Sequence, residues 1–317
     1  MAEGILNQVS IGLETTAGTP VVPNVSLALL PSDGIVKEQE AVGVEAINTD
    51  PALNKDFVEG AREMNGSFEM NAYPIGIGYI FESAIGASIS ALAGSETLVY
   101  THTFKEKVVK PSYTLEQKIG NIVERFAGFT VSNFSIELAV GEPIKISFGG
   151  KALSEEDATA ITPTYETSKV FDWTDVASIK LGDVDIKCAL QSLSLEYNNN
   201  LQSFHGLCGK ADPSSLYLEP SEVSGSISAY LNDEIKALRE AFDDKSTKEL
   251  VITIIADDTI GNASNNSLVI TLPKVALNTY THSIDTSYVA VESDFVGASD
   301  PTDGQIKVEL TNLQASY

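Results

Sequence analysis

The sequence predicts a mainly β protein of two tandem antiparallel β-sandwich domains, each with one flanking α-helix. Three observations predict it. Twelve Phe, eleven Tyr and 23 Gly among 317 residues, with abundant Ser, Thr, Val and Ile, lean the composition toward sheet. Many short segments alternate apolar and polar residues with the two-residue period of a strand. The chain also resembles itself at an offset of half its length, the signature of duplication. At 43% apolar and 20% charged it can bury a sizeable core, which excludes intrinsic disorder as its main description.

In chain order, MAEGILNQVS has neither the basic nor the apolar stretch of a secretory signal, so synthesis without export is expected. Residues 38–63 show no clean periodicity and read as a long loop. GSFEMNAY at 66–73 follows as a strand with Phe68, Met70 and Ala72 on one face. Residues 73–94 are nearly long enough to span a membrane and carry one charge, Glu82, but Ile77, Ile80 and Ala84 also suit a helix packed on a sheet. KIGN at 118–121 reads as a turn. Residues 131–138 and 144–148 form a closing strand pair, with Phe134, Ile136, Leu138, Ile144, Ile146 and Phe148 inward. Polar, proline-bearing residues 154–168 read as a linker, which sets the domains at 1–160, including an N-terminal arm, and 161–317.

The second half repeats these landmarks. Residues 196–222 form another aperiodic segment, and GSISAYL at 225–231 matches the first Gly-Ser strand, pairing Ile227, Ala229 and Leu231 with Phe68, Met70 and Ala72. A helix with Ile235, Leu238 and Phe242 follows, started by Asn232 and Asp233. This counterpart is an ordinary amphipathic helix, which demotes the membrane reading of residues 73–94. TIGN at 259–262 repeats the turn. Residues 287–296 place Val289, Val291 and Phe295 inward and Glu292 and Asp294 outward, while the register of 274–284 is ambiguous.

Catalytic chemistry finds little to work with. His102 and His282 sit in strand patterns, and His205 near Cys208 is the one Cys/His neighbourhood. Cys188 and Cys208 leave room for at most one bridge and cannot make a four-ligand zinc site alone. Phe81 stands where a dinucleotide fingerprint needs its third glycine, and Walker, HExxH and EF-hand patterns do not occur. The expectation is no enzyme, no cofactor and no metal. Forty-four acidic against 20 basic residues, a net charge of -24, disfavour attraction to nucleic acid or anionic membrane.

GLETTAGTPVVP at 12–23, followed by LLPSDGI at 29–35, resembles the opening of the tail tube (major tail) proteins of long-tailed bacteriophages. SIKLGDVDIKCALQSLSLEYNNNL at 178–201 resembles the opening of a second tube domain of that family. The GDVD turn departs from the Asn-Gly often found there, and residues 95–110 have no counterpart in the second half. The resemblance implies tail-tube-like sandwiches whose strands build the inner barrel of a stacked-ring tube. With six tube domains to a ring, a duplicated chain implies a trimer. It further implies a virion tail protein, assembled in the host cytoplasm without membrane. Its partners would be tape-measure, distal-tail and tail-terminator proteins, with double-stranded DNA passing through without tight binding; the duplicated form suggests a non-contractile tail.

On that reading the polar faces of the inner strands line the channel, which nominates Glu69, Glu137, Glu292 and Asp294 as lumen-facing, with Lys145 near Glu137 as a neutralising neighbour. The aperiodic segments nominate Leu53, Phe57, Leu201, Phe204 and Leu207 as ring-stacking contacts. The alternative is a carbohydrate-binding or adhesin-like double sandwich on a virion or cell surface, acting as a monomer.

Overall fold

The computed structural model describes residues 7–45, 54–284 and 289–317. Strands β1 (Gln8–Leu13), β2 (Val25–Leu27), β3 (Gly34–Glu45) and β4 (Asn54–Asn71) lead into helix α1 (Gly76–Ala84). β5 (Ile89–Leu92), β6 (Tyr100–Lys105), β7 (Tyr113–Ile119), β8 (Ile122–Ala139), β9 (Lys145–Lys151) and β10 (Ser154–Asp157) complete the first half. The second half runs through β11 (Val176–Leu181), β12 (Val184–Asp185), β13 (Leu190–Asn198), β14 (Leu201–Phe204), β15 (Ser215–Leu218) and β16 (Glu222–Tyr230) into α2 (Lys236–Asp243). It ends with β17 (Lys248–Ile260), β18 (Ser264–Leu277), β19 (Thr281–Ile284), β20 (Val289–Gly297) and β21 (Lys307–Asn312).

These strands form one antiparallel spine and two cover sheets. The spine runs β3-β4-β9-β8-β13-β16-β20-β19. One cover sheet runs β2-β1-β7-β8-β10 and the other β12-β11-β17-β18-β21-β6-β5. Two strands pass from cover to spine. β8 does so around Gly128, whose φ of 70° favours glycine. β18 does so at Pro273, whose missing N–H breaks a ladder at no cost where pairing changes partner. The buried faces of spine and cover meet in one hydrophobic cluster drawn from both halves. Phe68 stacks on Phe148 at 5.1 Å, and Phe134 on Tyr197 of the second half at 5.5 Å.

The alternation read from residues 66–73 and 131–148 holds in the spine, and Gly120 and Gly261 of the two turns adopt φ of 59° and 63°. α1 is buried along its whole length and α2 is amphipathic, packed against β8 and β18 respectively. No helix among the described residues is long and apolar enough to cross a membrane. Asn232 does start the second helical turn, accepting the N–H of Ile235 at 3.0 Å.

Several expectations are corrected. Residues 38–63 are not a loop: most belong to the long hairpin β3–β4, and 196–222 contains the hairpin β14–β15. The linker is woven in, since β10 pairs with β8 and Glu166 accepts the N–H groups of Ile75 and Gly76 at the start of α1. Leu231 is exposed where its match Ala72 is buried; both lie one residue past their strands, but Ala72 is held between Ile144 O and Phe171 N.

The end of the chain crosses back to the first half. β21 inserts between β18 and β6, and Tyr317 lies against α1. Its hydroxyl donates to Ile75 O at 3.1 Å and accepts from Asn312 Nδ2 at 2.6 Å. A Cβ on Gly78 would fall 2.0 Å from the Tyr317 ring, so the residue must be glycine for the ring to seat. Gly78→Ala is therefore expected to destabilise the fold by about 1–3 kcal/mol, the usual cost of overpacking. In denaturant titrations the loss should be mostly absent when Tyr317→Ala is already present; additive losses would show that the two do not compete for one space.

Candidate assembly surfaces

Opposite the core, the spine presents a polar face. Glu69 pairs across strands with Ser147, Glu137 with Lys145 and Ser194, Ser226 with Asp294, and Ser228 with Glu292. Glu137, Glu292 and Asp294 are exposed and Glu69 is half-buried, all on the face opposite Phe68, Phe134, Val291 and Phe295. The structure thus brings the four nominated carboxylates onto one continuous surface. It adds Glu196 and Glu222, which sequence reasoning missed because they fell in a segment without evident period. Ser67, Ser135, Ser147, Ser194, Ser224, Ser226 and Ser228 fill much of the rest, so the face is smooth as well as acidic. Lys145 does not simply neutralise Glu137, because its Nζ also lies 2.8 Å from Glu142.

Other glutamates point inward and tie distant segments through main-chain N–H groups. Glu14, in the GLETTAGTP stretch, accepts from Gly18 N, Gly128 N, Ser112 Oγ and Thr114 Oγ1, each at 2.8 Å, and so clamps the bend of β8. Glu96 reaches the β17–β18 turn, taking Asn262 N and Ala263 N at 2.9 Å. Glu106 accepts from Gln305 N at 2.7 Å and Ser221 Oγ at 2.7 Å.

The spine ends in two open edges. Among the described residues β3 pairs with β4 alone and β19 with β20 alone. The order of neighbours also repeats: β3-β4-β9-β8 in the first half and β13-β16-β20-β19 in the second. Ile35 lies opposite Gly66 as Leu195 lies opposite Gly225, and Ser135 lies opposite Ser147 as Thr281 lies opposite Glu292.

Beyond the spine, β3–β4 projects as an arm with residues exposed on both faces, among them Val42, Val44, Phe57 and Val58. β14–β15 is the matching, shorter arm. The tip loop and β14 of the second arm lie against the base of the first, where Arg62 N donates to Ala211 O at 2.8 Å and Ser203 Oγ to Glu63 at 2.7 Å. Phe57 is 60% and Phe204 54% exposed, and Leu207 is fully exposed at the second tip. Leu201 departs from the expected exposure: at 5% it is buried where β14 starts opposite Leu218. Leu53 lies outside the described residues.

Two of the histidines make structural contacts. His102 is buried between Ser90 Oγ at 2.7 Å and Gln314 O at 2.9 Å, and burial holds its pKa below the usual histidine value. His205 contacts Arg62 O and Glu63 rather than Cys208. Cys188 and Cys208 are free and exposed, and no group of metal-ligating side chains occurs among the described residues.

A family model described as phage tail tube protein matches residues 4–311. No curated protein matches the chain. Among solved structures, similarity extends to the SPP1 tail tube determined by solid-state NMR and cryo-electron microscopy. It has 11% identity, covers 57% of this chain and 76% of that one, and superposes at a TM-score of 0.24, too low to carry a structural argument.

Glu96 predicts acid sensitivity. The N–H groups of Asn262 and Ala263 hold Glu96 below its ordinary value of 4.5, so its contribution is present in full above that pH and is lost as pH falls through the lowered value. Burial pushes Glu166 the other way, so its charge opposes stability near neutrality and acid relieves it. Glu96→Gln should destabilise the chain at pH 7, with the gap from wild type closing in urea titrations below pH 4.5. A gap independent of pH would remove charge from the explanation.

Proposed function

We propose how this chain, which belongs to the phage tail tube protein family, builds its tube: three copies close into a ring whose inner wall is one continuous antiparallel barrel. The chain is a structural component of the virion tail. The observation that carries the finer reading is the seam between halves, where β8 and β13 pair from Ala139↔Ser192 to Asn133↔Asn198. That seam joins the last strand of one four-strand set to the first strand of the next. The open edges β19 and β3 are the same two positions left unpaired, and unpaired edges invite association. Repeating the seam between chains pairs β19 of one copy with β3 of the next, and the heterologous contact closes on itself. The shared strand order supports a duplication into tube domains 1–160 and 161–317, and six such domains per ring give three chains.

The seam also supplies a register. Ser135 pairs with Glu196 within the chain, and their counterparts are Thr281 and Val36, so these two should meet across the interface. Val36→Cys with Thr281→Cys, in a Cys188→Ser, Cys208→Ser background, should oxidise to a product of three chains and no larger. Opposed residues on antiparallel strands lie within disulfide reach. Products of six chains would overturn the trimer, and none at all would overturn the edge pairing.

In this ring the acidic spine face becomes the channel wall, with Glu69, Glu137, Glu292 and Asp294 on it. Duplex DNA carries roughly one negative charge per 1.7 Å, and a basic wall would hold it through counterion release. An acidic, serine-rich wall gives DNA little to grip and lets the genome pass. The arms, with Phe57, Phe204 and Leu207, supply contacts between rings. The carbohydrate-binding or adhesin-like alternative has the family match against it. Changing the four carboxylates to Lys should leave tubes that assemble but retain DNA, each new contact steepening the salt dependence by roughly 0.9 in log–log slope. Normal DNA release from such tubes would overturn the assignment of these residues to the channel.

A further inference from the structure

We propose that the groove around Trp173 is a socket that receives an arm hairpin from a chain of the adjacent ring. The inference rests on the tube reading above and adds the receiving surface to it. Cross-strand register fixes the geometry. The arms leave the spine at the end marked by the pairs Asn65↔Lys151 and Asn133↔Asn198. The groove lies at the opposite end, where the β8–β13 seam finishes at Ala139↔Ser192. Stacking in one direction therefore brings arms toward grooves.

The groove holds 460 Å³ between Leu138, Val140, Trp173, Val176, Cys188 and Leu193. It is apolar and open, with Trp173 46% and Val140 62% exposed. A second groove of 760 Å³ lies beneath the start of β3, against Leu27, Leu29, Pro31 and Tyr165. Its segment 27–34 leads into β3 as residues 187–189 of the first groove lead into β13, so the two sockets stand at matching strands of the four-strand set. Each chain thus has two arms at one end of its strands and the Trp173 groove at the other, while the second groove runs along the β3 edge beside Ser67 and Met70.

The surfaces also match in chemistry. On the first arm Val42 and Val58 form an exposed apolar pair and Phe57 projects from the other face. Glu38, Glu40, Glu45, Asp56 and Glu59 surround them, whereas the first groove carries Lys187 as its one charged side chain and the second carries Lys118 beside Asp33. Apolar anchors ringed by complementary charge are what a desolvated contact of this size requires.

Trp173 is the one tryptophan of the chain, which lets the unmodified protein report on its own socket. Its fluorescence should move to shorter wavelength and lose most of its acrylamide quenching when rings stack into tubes, and should remain that of an exposed indole in isolated rings. Unchanged emission in tubes visible by electron microscopy overturns the socket while leaving the tube reading intact. A shift already complete in isolated rings also overturns it, because a lateral neighbour would then be the occupant. Failure of the native chain to form any tube overturns both readings. Oxidation of tubes identifies the arm: Cys188 should be linked to native Cys208, or to position 57 in Phe57→Cys with Cys208→Ser, giving covalent species that join rings. A Trp173 shift without either link overturns the arm as occupant.

Discussion

The pairing of β8 with β13 is the constraint on which the rest of the molecule depends. It covers one edge of each four-strand set and merges two sets into a single sheet. Ile136 faces Leu195 and Leu138 faces Leu193 across it, all buried, so the seam is sealed by side chains as well as by its ladder. A flush seam in turn demands that β8 leave its cover sheet at the right place. That demand explains the positive φ of Gly128 and the Glu14 carboxylate fixed to its N–H. The GLETTAGTP stretch is thus a bracket for the bend.

Two physical roles are visible within the large acid excess. Exposed carboxylates on the spine face set a field over a smooth surface of serines. Inward glutamates such as Glu14, Glu96 and Glu106 satisfy main-chain donors in turns that would otherwise be left without partners. Composition alone cannot separate these roles, because both register only as negative charge.

What was legible in the sequence follows the same line. Strands with one buried and one wet face, such as 66–73 and 131–138, betrayed themselves by alternation, and the polar side of that alternation located Glu69, Glu137, Glu292 and Asp294 on one surface. The arms were missed as strands because both of their faces meet solvent, so β3 carries no burial period to read. Leu201 looked like an exposed apolar residue because nothing local reveals that β14 begins by turning inward. Long-range ties were invisible for a different reason: the partners of Glu96 lie 166 to 168 residues away and are mostly backbone atoms, which every residue possesses. β21, paired with β6 of the other half, is of the same kind.

The seating of Tyr317 against α1 bears on the order of events at the ribosome. Ile75 and Tyr317 are 242 residues apart, and His102 finds its acceptors 210 and 212 residues downstream. The first half therefore cannot finish its own interior while it emerges; it must wait, incompletely covered, until the second half has been translated and has returned strand β21 to it. Contacts of such long separation make folding slow and leave sheet edges transiently open. A chain that lacks β21 and Tyr317 therefore leaves β6 and α1 of the first half uncovered.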